Sequence, residues 1–170
     1  MVLGMSLAAF TQLHVILSLI GIATGIVVLF GMIGGKRLAG WIALFLATTV
    51  LTSATGFLFP VTQLLPSHIV GIISLVALAI ALFALYVRRL AGAWRWIYVV
   101  TAVFSLYLNC FVGVVQAFLK QPFLKPLAPT QTEPPFVIAQ GAVLLVFVVL
   151  GILAVRRFHP TGGARALGPA

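Results

Sequence analysis

The sequence predicts an all-α membrane protein, a bundle of five transmembrane helices. Of its 170 residues, 63 % are hydrophobic and only 6 % are charged, whereas a soluble domain carries about 25 % charged residues. So few charges cannot cover a water-facing surface, which excludes a soluble fold. High hydrophobicity excludes intrinsic disorder, and the single cysteine, Cys110, excludes a disulfide scaffold. A single polytopic membrane domain remains.

Five apolar stretches are long enough to cross a bilayer. A helix needs about 20 apolar residues to span about 30 Å of hydrocarbon. We place the spans at about 7–33, 41–59, 67–87, 97–119 and 136–155. They form a transmembrane domain over residues 1–155. The remaining residues, 156–170, are basic and Gly-rich, and we expect them to form a disordered cytoplasmic tail.

Each span ends where the sequence disfavours a helix in lipid. Two glycines and two cations at 34–37 end the first span, and Pro60 ends the second. Pro66 opens the third span, since a helix tolerates proline in its first turn. The basic segment 88–95 separates the third and fourth spans. Five prolines within 120–135 interrupt the chain before the fifth span and make this loop a candidate lid.

The distribution of Lys and Arg predicts that the N-terminus lies outside and the C-terminus inside. Cations in short loops are retained in the cytoplasm. Alternate loops place only Lys120 and Lys125 on one side. On the other side lie Lys36, Arg37, Arg88, Arg89, Arg95, Arg156, Arg157 and Arg165. Aromatic residues at the same side, such as Trp41 and Trp94, favour this orientation independently.

The composition and the number of spans are similar to those of small multi-pass proteins of bacterial inner membranes. We therefore expect an inner-membrane location, with the lipid bilayer as the first partner. The net charge of +9 is explained by topology and by contact with anionic headgroups. No nucleic-acid recognition module accompanies the cations, so we expect no nucleic-acid binding.

Strongly polar side chains within the spans are predicted to gather in the outer half of the bundle. His14 shares one helical face with Ser18 and two glycines, and Asn109 shares another with Gln116. At 1.5 Å per residue, Asn109 lies about 10 Å deeper than Gln116. A polar group at that depth needs a partner, because leaving it unpaired in hydrocarbon costs several kcal/mol. The predicted outward-facing pocket consists of His14, His68, Asn109, Gln116, Glu133 and Gln140.

Several functions fit this pocket. The pocket binds a ligand or cofactor, or the protein is a subunit of a larger membrane assembly or a homo-oligomer. His14 and His68 are candidates for metal ligation, for axial ligation of haem b and for contact with a quinone. They also fit a purely structural role in holding helices together. A small-solute permease is a further alternative.

Catalysis finds little support in the sequence. The chain contains one acidic residue, Glu133, so neither a Ser-His-Asp triad nor a pair of catalytic carboxylates is available. Phosphate-binding loops, nucleophile elbows and zinc-protease motifs are absent from the sequence. We therefore expect a binding protein and not an enzyme.

Overall fold

The computed structural model describes residues 2–60 and 66–160. Within these ranges the regular secondary structure is helical, apart from an isolated bridge between Val2 and Met5. The five long helices are α1 (Leu7–Ile33), α2 (Ala39–Gly56), α3 (Pro66–Leu82), α4 (Trp94–Lys120) and α5 (Pro134–Arg157). A π-helical turn, Phe83–Val87, extends α3, and a 3-10 turn, Lys125–Leu127, precedes α5.

The predicted five-span helical architecture is confirmed. All five helices, with the π-helical turn counted as part of the third, are long and apolar enough to cross a membrane. The direction in which they cross stays a prediction. Residues 161–170 of the predicted disordered tail lie outside the described residues, whereas Arg156 and Arg157 belong to α5.

Helix boundaries differ from the predicted spans for reasons of proline chemistry. Helix α2 ends at Gly56, three residues before the predicted end, because the ring of Pro60 clashes with a helical carbonyl four residues earlier. Helix α5 starts at Pro134, since the missing N–H of a proline needs no partner in a first turn.

A close-packed apolar core fills the half of the bundle that the charge distribution predicts to be cytoplasmic. Its members come from all five helices and from the segments that follow α3 and α5. Gly25 in α1 marks how tight this layer is: a Cβ there would lie 2.5 Å from Leu106 Cδ1 and 2.8 Å from Phe45 Cε2. The largest fully buried side chains of this core are Tyr98, Phe45, Phe158, Met32, Leu46, Leu78 and Leu106.

Arg95 fixes the C-terminal end of α5 to the start of α4. Its guanidinium Nη1 donates hydrogen bonds to the carbonyl oxygens of Val155, at 2.9 Å, and Phe158, at 2.7 Å. These carbonyls belong to a helix terminus, where backbone acceptors lack partners within the helix. Phe158 is fully buried beyond this cap, 6.1 Å from the ring of Tyr98. The cation thus serves a structural role that its position in a predicted loop did not indicate.

Candidate functional site

A polar cavity of about 110 Å³ lies between α1, α2, α3 and α4, in the half of the bundle opposite the apolar core. It brings together three of the predicted site residues, His14 from α1, His68 from α3 and Asn109 from α4. Hydroxyl groups supply much of the remaining polar wall, from Ser18, Thr52, Ser53, Ser67 and Ser74. Four helices therefore contribute polar groups to one small space.

The hydrogen bonds of His14 fix which of its ring nitrogens carries the proton. Nδ1 lies 2.8 Å from Thr55 Oγ1, and Thr55 Oγ1 donates to the carbonyl of Leu51 at 2.7 Å. A threonine hydroxyl has one hydrogen, so the Thr55 oxygen must accept from His14 Nδ1–H. In the neutral ring, Nε2 then keeps a lone pair that is able to accept a hydrogen bond.

Asn109 is half-buried on the cavity wall, and its amide nitrogen is fully enclosed. Within the described ranges, Asn109 Nδ2 has no hydrogen-bond partner, and neither do Thr49 Oγ1 and Thr52 Oγ1. Each such buried group costs about 1–3 kcal/mol. Thr48, beside them, donates to the carbonyl of Leu44 at 2.7 Å. Two of these groups, on Asn109 and Thr52, belong to the cavity wall, whereas Tyr98 OH and Gln140 Oε1, which are also buried without a partner, lie away from it.

Gly21 in α1 provides the space in which these polar atoms face one another. A Cβ at Gly21 would lie 3.1 Å from both Asn109 Nδ2 and Thr49 Oγ1. That separation is tighter than ordinary carbon contacts, so a side chain would displace one of the two groups. The absence of a Cβ lets α1 pass close to these polar groups of α2 and α4.

His68 lies at the start of α3 and is 7 % exposed. Its ring lies 5.6 Å from that of Phe57, at the end of α2. Deeper along the same helix pair, Ser53 Oγ donates to Ser74 Oγ at 3.1 Å. These contacts hold α3 against α2 and define the side of the cavity opposite His14.

The other three predicted site residues do not line this cavity. Gln140 Nε2 donates to the carbonyl of Phe111 at 3.1 Å and so links α5 to α4. Gln116 is exposed on the surface of α4. Glu133 is partly exposed at the start of α5. The structure thus divides the predicted set into a cavity trio and three residues outside it.

Glu133 organises its own loop. Its carboxylate accepts hydrogen bonds from the Thr130 hydroxyl at 2.8 Å and from the backbone N–H groups of Thr130 and Thr132, both at 3.0 Å. Partial desolvation raises the pKa of Glu133, but these hydrogen bonds outweigh it and lower the pKa overall. Nearby, Gln131 Nε2 donates to the carbonyl of Val115 at 3.1 Å, which fastens the loop to α4.

Sequence analysis did not include Thr49, Thr52 and Thr55 in the candidate site. The hydroxyl-rich run 48–55 was the available signal, and its members face different neighbours. Thr48 and Thr55 bond to carbonyls of their own helix, a common use of hydroxyls in membrane helices. Thr49 and Thr52 differ from Thr48 and Thr55 in that their hydroxyls have no partner among the described residues. Only the packing of the helices, and not the sequence, shows this difference.

The size of the cavity restricts its occupant. A water molecule takes about 30 Å³ of liquid volume, so 110 Å³ holds about four waters. Pockets for drug-sized ligands measure about 300–1,000 Å³, and a haem is at least that large. Among the described residues, moreover, no group of three or more His, Cys, Asp or Glu comes together to hold a metal ion. The cavity therefore suits a molecule of a few non-hydrogen atoms.

The cavity ends at the apolar core. The layer beyond Asn109 contains Leu106 and Phe45, which pack against Gly25 without room for a methyl group. Both side chains are buried to 1 % exposure. The arrangement is a blind pocket in one half of the bundle, with no continuous polar path towards the other half through the described residues.

No known protein family, curated protein or solved structure matches this chain. The five apolar helices are those of a small multi-pass membrane protein. Any more specific function has to be argued from the cavity itself.

Proposed function

We propose that this membrane protein binds a small, uncharged, hydrogen-bonding molecule in the cavity formed by α1 to α4. The observation that carries the proposal is the Asn109 amide nitrogen, which is enclosed at the cavity wall without a partner, together with the Thr52 hydroxyl of the same wall, which also lacks one. Buried polar groups are nearly always hydrogen-bonded in folded proteins. Two unpartnered groups on the wall of one cavity are explained by a ligand that completes their hydrogen bonds.

The chemistry of the wall defines the class of ligand. Cavity-lining residues include no Lys, Arg, Asp or Glu, and a buried charge without a partner is very costly. The ligand is therefore neutral. Asn109 and Thr52 offer donors, and the lone pair on His14 Nε2 offers an acceptor. A carbonyl oxygen joined to an N–H or O–H group, as in a primary carboxamide, matches this set.

Binding involves a rotation of the Asn109 amide. Turning about χ2 moves the nitrogen towards the cavity and presents the carbonyl oxygen to the Thr49 hydroxyl. Terminal torsions of this kind are broad and easily changed. The same rotation thus gives a hydrogen-bond partner to the Thr49 hydroxyl on one side of the amide and to the ligand on the other.

Among the alternatives, the volume and the closed end of the cavity favour binding of a small molecule. A dry cavity of about 150 Å³ just accommodates benzene, so a quinone ring requires the helices to separate, and haem requires more. Permeation requires an opening through the apolar core. Partners such as a second copy or another membrane subunit remain predictions from sequence.

The predicted orientation makes the pocket face the outside of a bacterial inner membrane. Single-cysteine variants made in a Cys110→Ala background test this orientation. A membrane-impermeant thiol reagent is expected to label Lys120→Cys in intact spheroplasts and to spare Arg89→Cys until the membrane is opened. The reverse pattern would place the pocket on the cytoplasmic side.

Nuclear magnetic resonance on the side chain of Asn109 provides the test of binding. Asn109 is the only asparagine in the chain, so ¹⁵N-asparagine labelling gives one side-chain amide signal. In lipid nanodiscs, acetamide is expected to shift that signal saturably, whereas acetate, of similar size but charged, leaves it unchanged. Thr52→Val should weaken the response, and Gln140→Met, which alters a carboxamide away from the cavity, should preserve it.

Two results would overturn the proposal. One is an Asn109 signal that acetamide does not shift, or that acetate shifts equally. The other is a Soret band in protein purified from haem-supplemented cells that disappears in His14→Ala and His68→Ala, which would identify a haem protein.

A further inference from the structure

We infer that the groove between α4 and α5 is a binding site for one anionic phospholipid, with an acyl chain between the helices and the phosphate at Arg156. This site is separate from the polar cavity and independent of the proposed function. The groove has a volume of about 390 Å³. Its walls are apolar side chains of both helices, and Arg156 closes one end.

The length of the groove matches one leaflet of a bilayer. On α5 it extends from Leu144 to Arg156, a distance of about 18 Å at 1.5 Å per residue. Half of a hydrocarbon core is about 15 Å. Because Arg156 lies in the last turn of α5, the groove runs from near the middle of the membrane to its interface. An acyl chain attached to an interfacial headgroup follows the same course.

Helix α5 is tied to α4 by hydrogen bonds near both ends, so the groove between these ties is a built feature. Near the start of α5, Gln140 donates to the carbonyl of Phe111. At the other end, Arg95 donates to the carbonyls of Val155 and Phe158. Between these anchors, Gly151 has no side chain to reach across the gap. A Cβ there would already be in van der Waals contact with Val103 Cγ1, at 3.5 Å.

The groove is open sideways towards lipid. Val100, Phe104 and Val148 on its walls are 46 %, 39 % and 47 % exposed. Only Ala154 is buried among the 24 residues of α5. In a membrane such a space is filled by hydrocarbon, because water has no polar partners there.

The charges at the end of the groove select an anionic lipid. Arg156 is followed by Arg157, and a Cβ at Gly35 would lie 3.5 Å from the Arg157 carbonyl. The loop with Lys36 and Arg37 therefore reaches the same end. Glu133, the one acidic side chain in the sequence, precedes α5 at its other end, about 35 Å away along the axis. A lipid phosphate supplies the missing negative charge.

The same charges disfavour a second copy of this chain as the occupant. A two-fold axis along the membrane normal brings residues of equal depth together. Arg156 and Arg157 would then face the same residues of the partner, with like-charge repulsion at the interface. An anionic lipid meets the groove without that cost.

The experiment measures lipids bound to detergent-purified protein by native mass spectrometry. Phosphatidylglycerol and phosphatidylcholine with identical acyl chains are titrated separately. We expect one phosphatidylglycerol to bind more tightly than phosphatidylcholine. Arg156→Gln should weaken phosphatidylglycerol binding about fivefold, the effect of one cation near a headgroup, and remove most of the preference between the two lipids.

Matched variants on the same helix distinguish the groove from general lipid contact. Gly151→Leu fills the groove and should weaken binding of both lipids, whereas Gly141→Leu, where a Cβ meets nothing within 4 Å, should leave both unchanged. Arg157→Gln, outside the groove walls, controls for charge alone. Circular dichroism and thermal melting establish that each variant is folded.

Three outcomes would overturn the inference. The first is equal binding of the two lipids by the unaltered protein. The second is that Arg156→Gln and Gly151→Leu bind lipid as their controls do. The third is a lipid-independent dimer that Gly151→Leu dissociates, which would make the groove an interface between two copies.

Discussion

Replacing Asn109 by leucine tests whether this amide serves a ligand or holds helices together. Leucine has the same branched shape without polar atoms, so Asn109→Leu removes the enclosed nitrogen that lacks a partner among the described residues. The burial cost of such a group is about 1–3 kcal/mol. We therefore expect the ligand-free protein to gain about 1 kcal/mol in stability, since leucine is larger and overpacking opposes part of the gain. Acetamide should stabilise the unaltered protein against unfolding and should no longer do so in this variant.

The assay is unfolding in mixed micelles with an increasing fraction of sodium dodecyl sulfate, followed by tryptophan fluorescence. Ser74→Ala is the matched control on the same cavity, because it removes the hydroxyl that accepts from Ser53. A hydrogen bond between membrane helices contributes about 0.6 kcal/mol on average, so this variant should be less stable than the unaltered protein. Opposite signs for the two variants support the ligand interpretation. If Asn109→Leu is destabilised as Ser74→Ala is, the amide is a structural contact and the reasoning is refuted.

Three further predictions concern helix packing, the histidine tautomer and the outer loop. In the same unfolding assay, Gly25→Ala should lower the free energy of unfolding by about 1–3 kcal/mol through overpacking. Gly141→Ala should leave it unchanged or raise it by up to about 1 kcal/mol. Equal effects of the two substitutions would contradict the close packing at Gly25. ¹⁵N-histidine spectra should show His14 protonated at Nδ1. Thr55→Val removes the hydroxyl that accepts this proton and should shift His14 towards the tautomer protonated at Nε2. An unchanged spectrum in that variant would remove the basis for His14 Nε2 as a hydrogen-bond acceptor in the cavity. Because the folded chain lowers the pKa of Glu133, the contribution of its carboxylate to loop order is complete above the usual glutamate pKa and is lost as the pH falls through the lowered pKa. Hydrogen exchange at 130–133 should show this loss. Glu133→Gln should make the exchange rate at 130–133 independent of pH-driven titration at this residue.

The sequence alone was sufficient for the helical architecture, because hydrophobicity over about 20 residues is a local property. It also placed the breaks, since Gly34, Pro60 and Pro66 act on their own neighbourhood. It was less accurate at the ends of α2, α4 and α5, which differ from the predicted ends by up to three residues. There, a helix boundary depends on contacts such as the Arg95 cap, which joins residues 60 positions apart.

The candidate site shows the same division. The spacing of polar residues indicated which helix faces carry His14 and Asn109, and α1 and α4 do present them to one cavity. Depth along a helix, however, does not determine which neighbour a side chain meets. Gln140 and Glu133 were predicted at the same outer end of the bundle as the cavity residues, yet one bonds to a carbonyl of α4 and the other to its own loop.

What the amino-acid sequence determined was the number of membrane-length helices and the polar residues that one half of the bundle would have to accommodate. What tertiary structure decided was which of those residues meet. Gly21 lets α1 approach α2 and α4 closely enough to leave Asn109 and Thr49 facing each other, and the anchors of α5 leave a groove beside α4. Both spaces arise from the distances between helices, which depend on side chains far apart in the sequence and not on any local pattern.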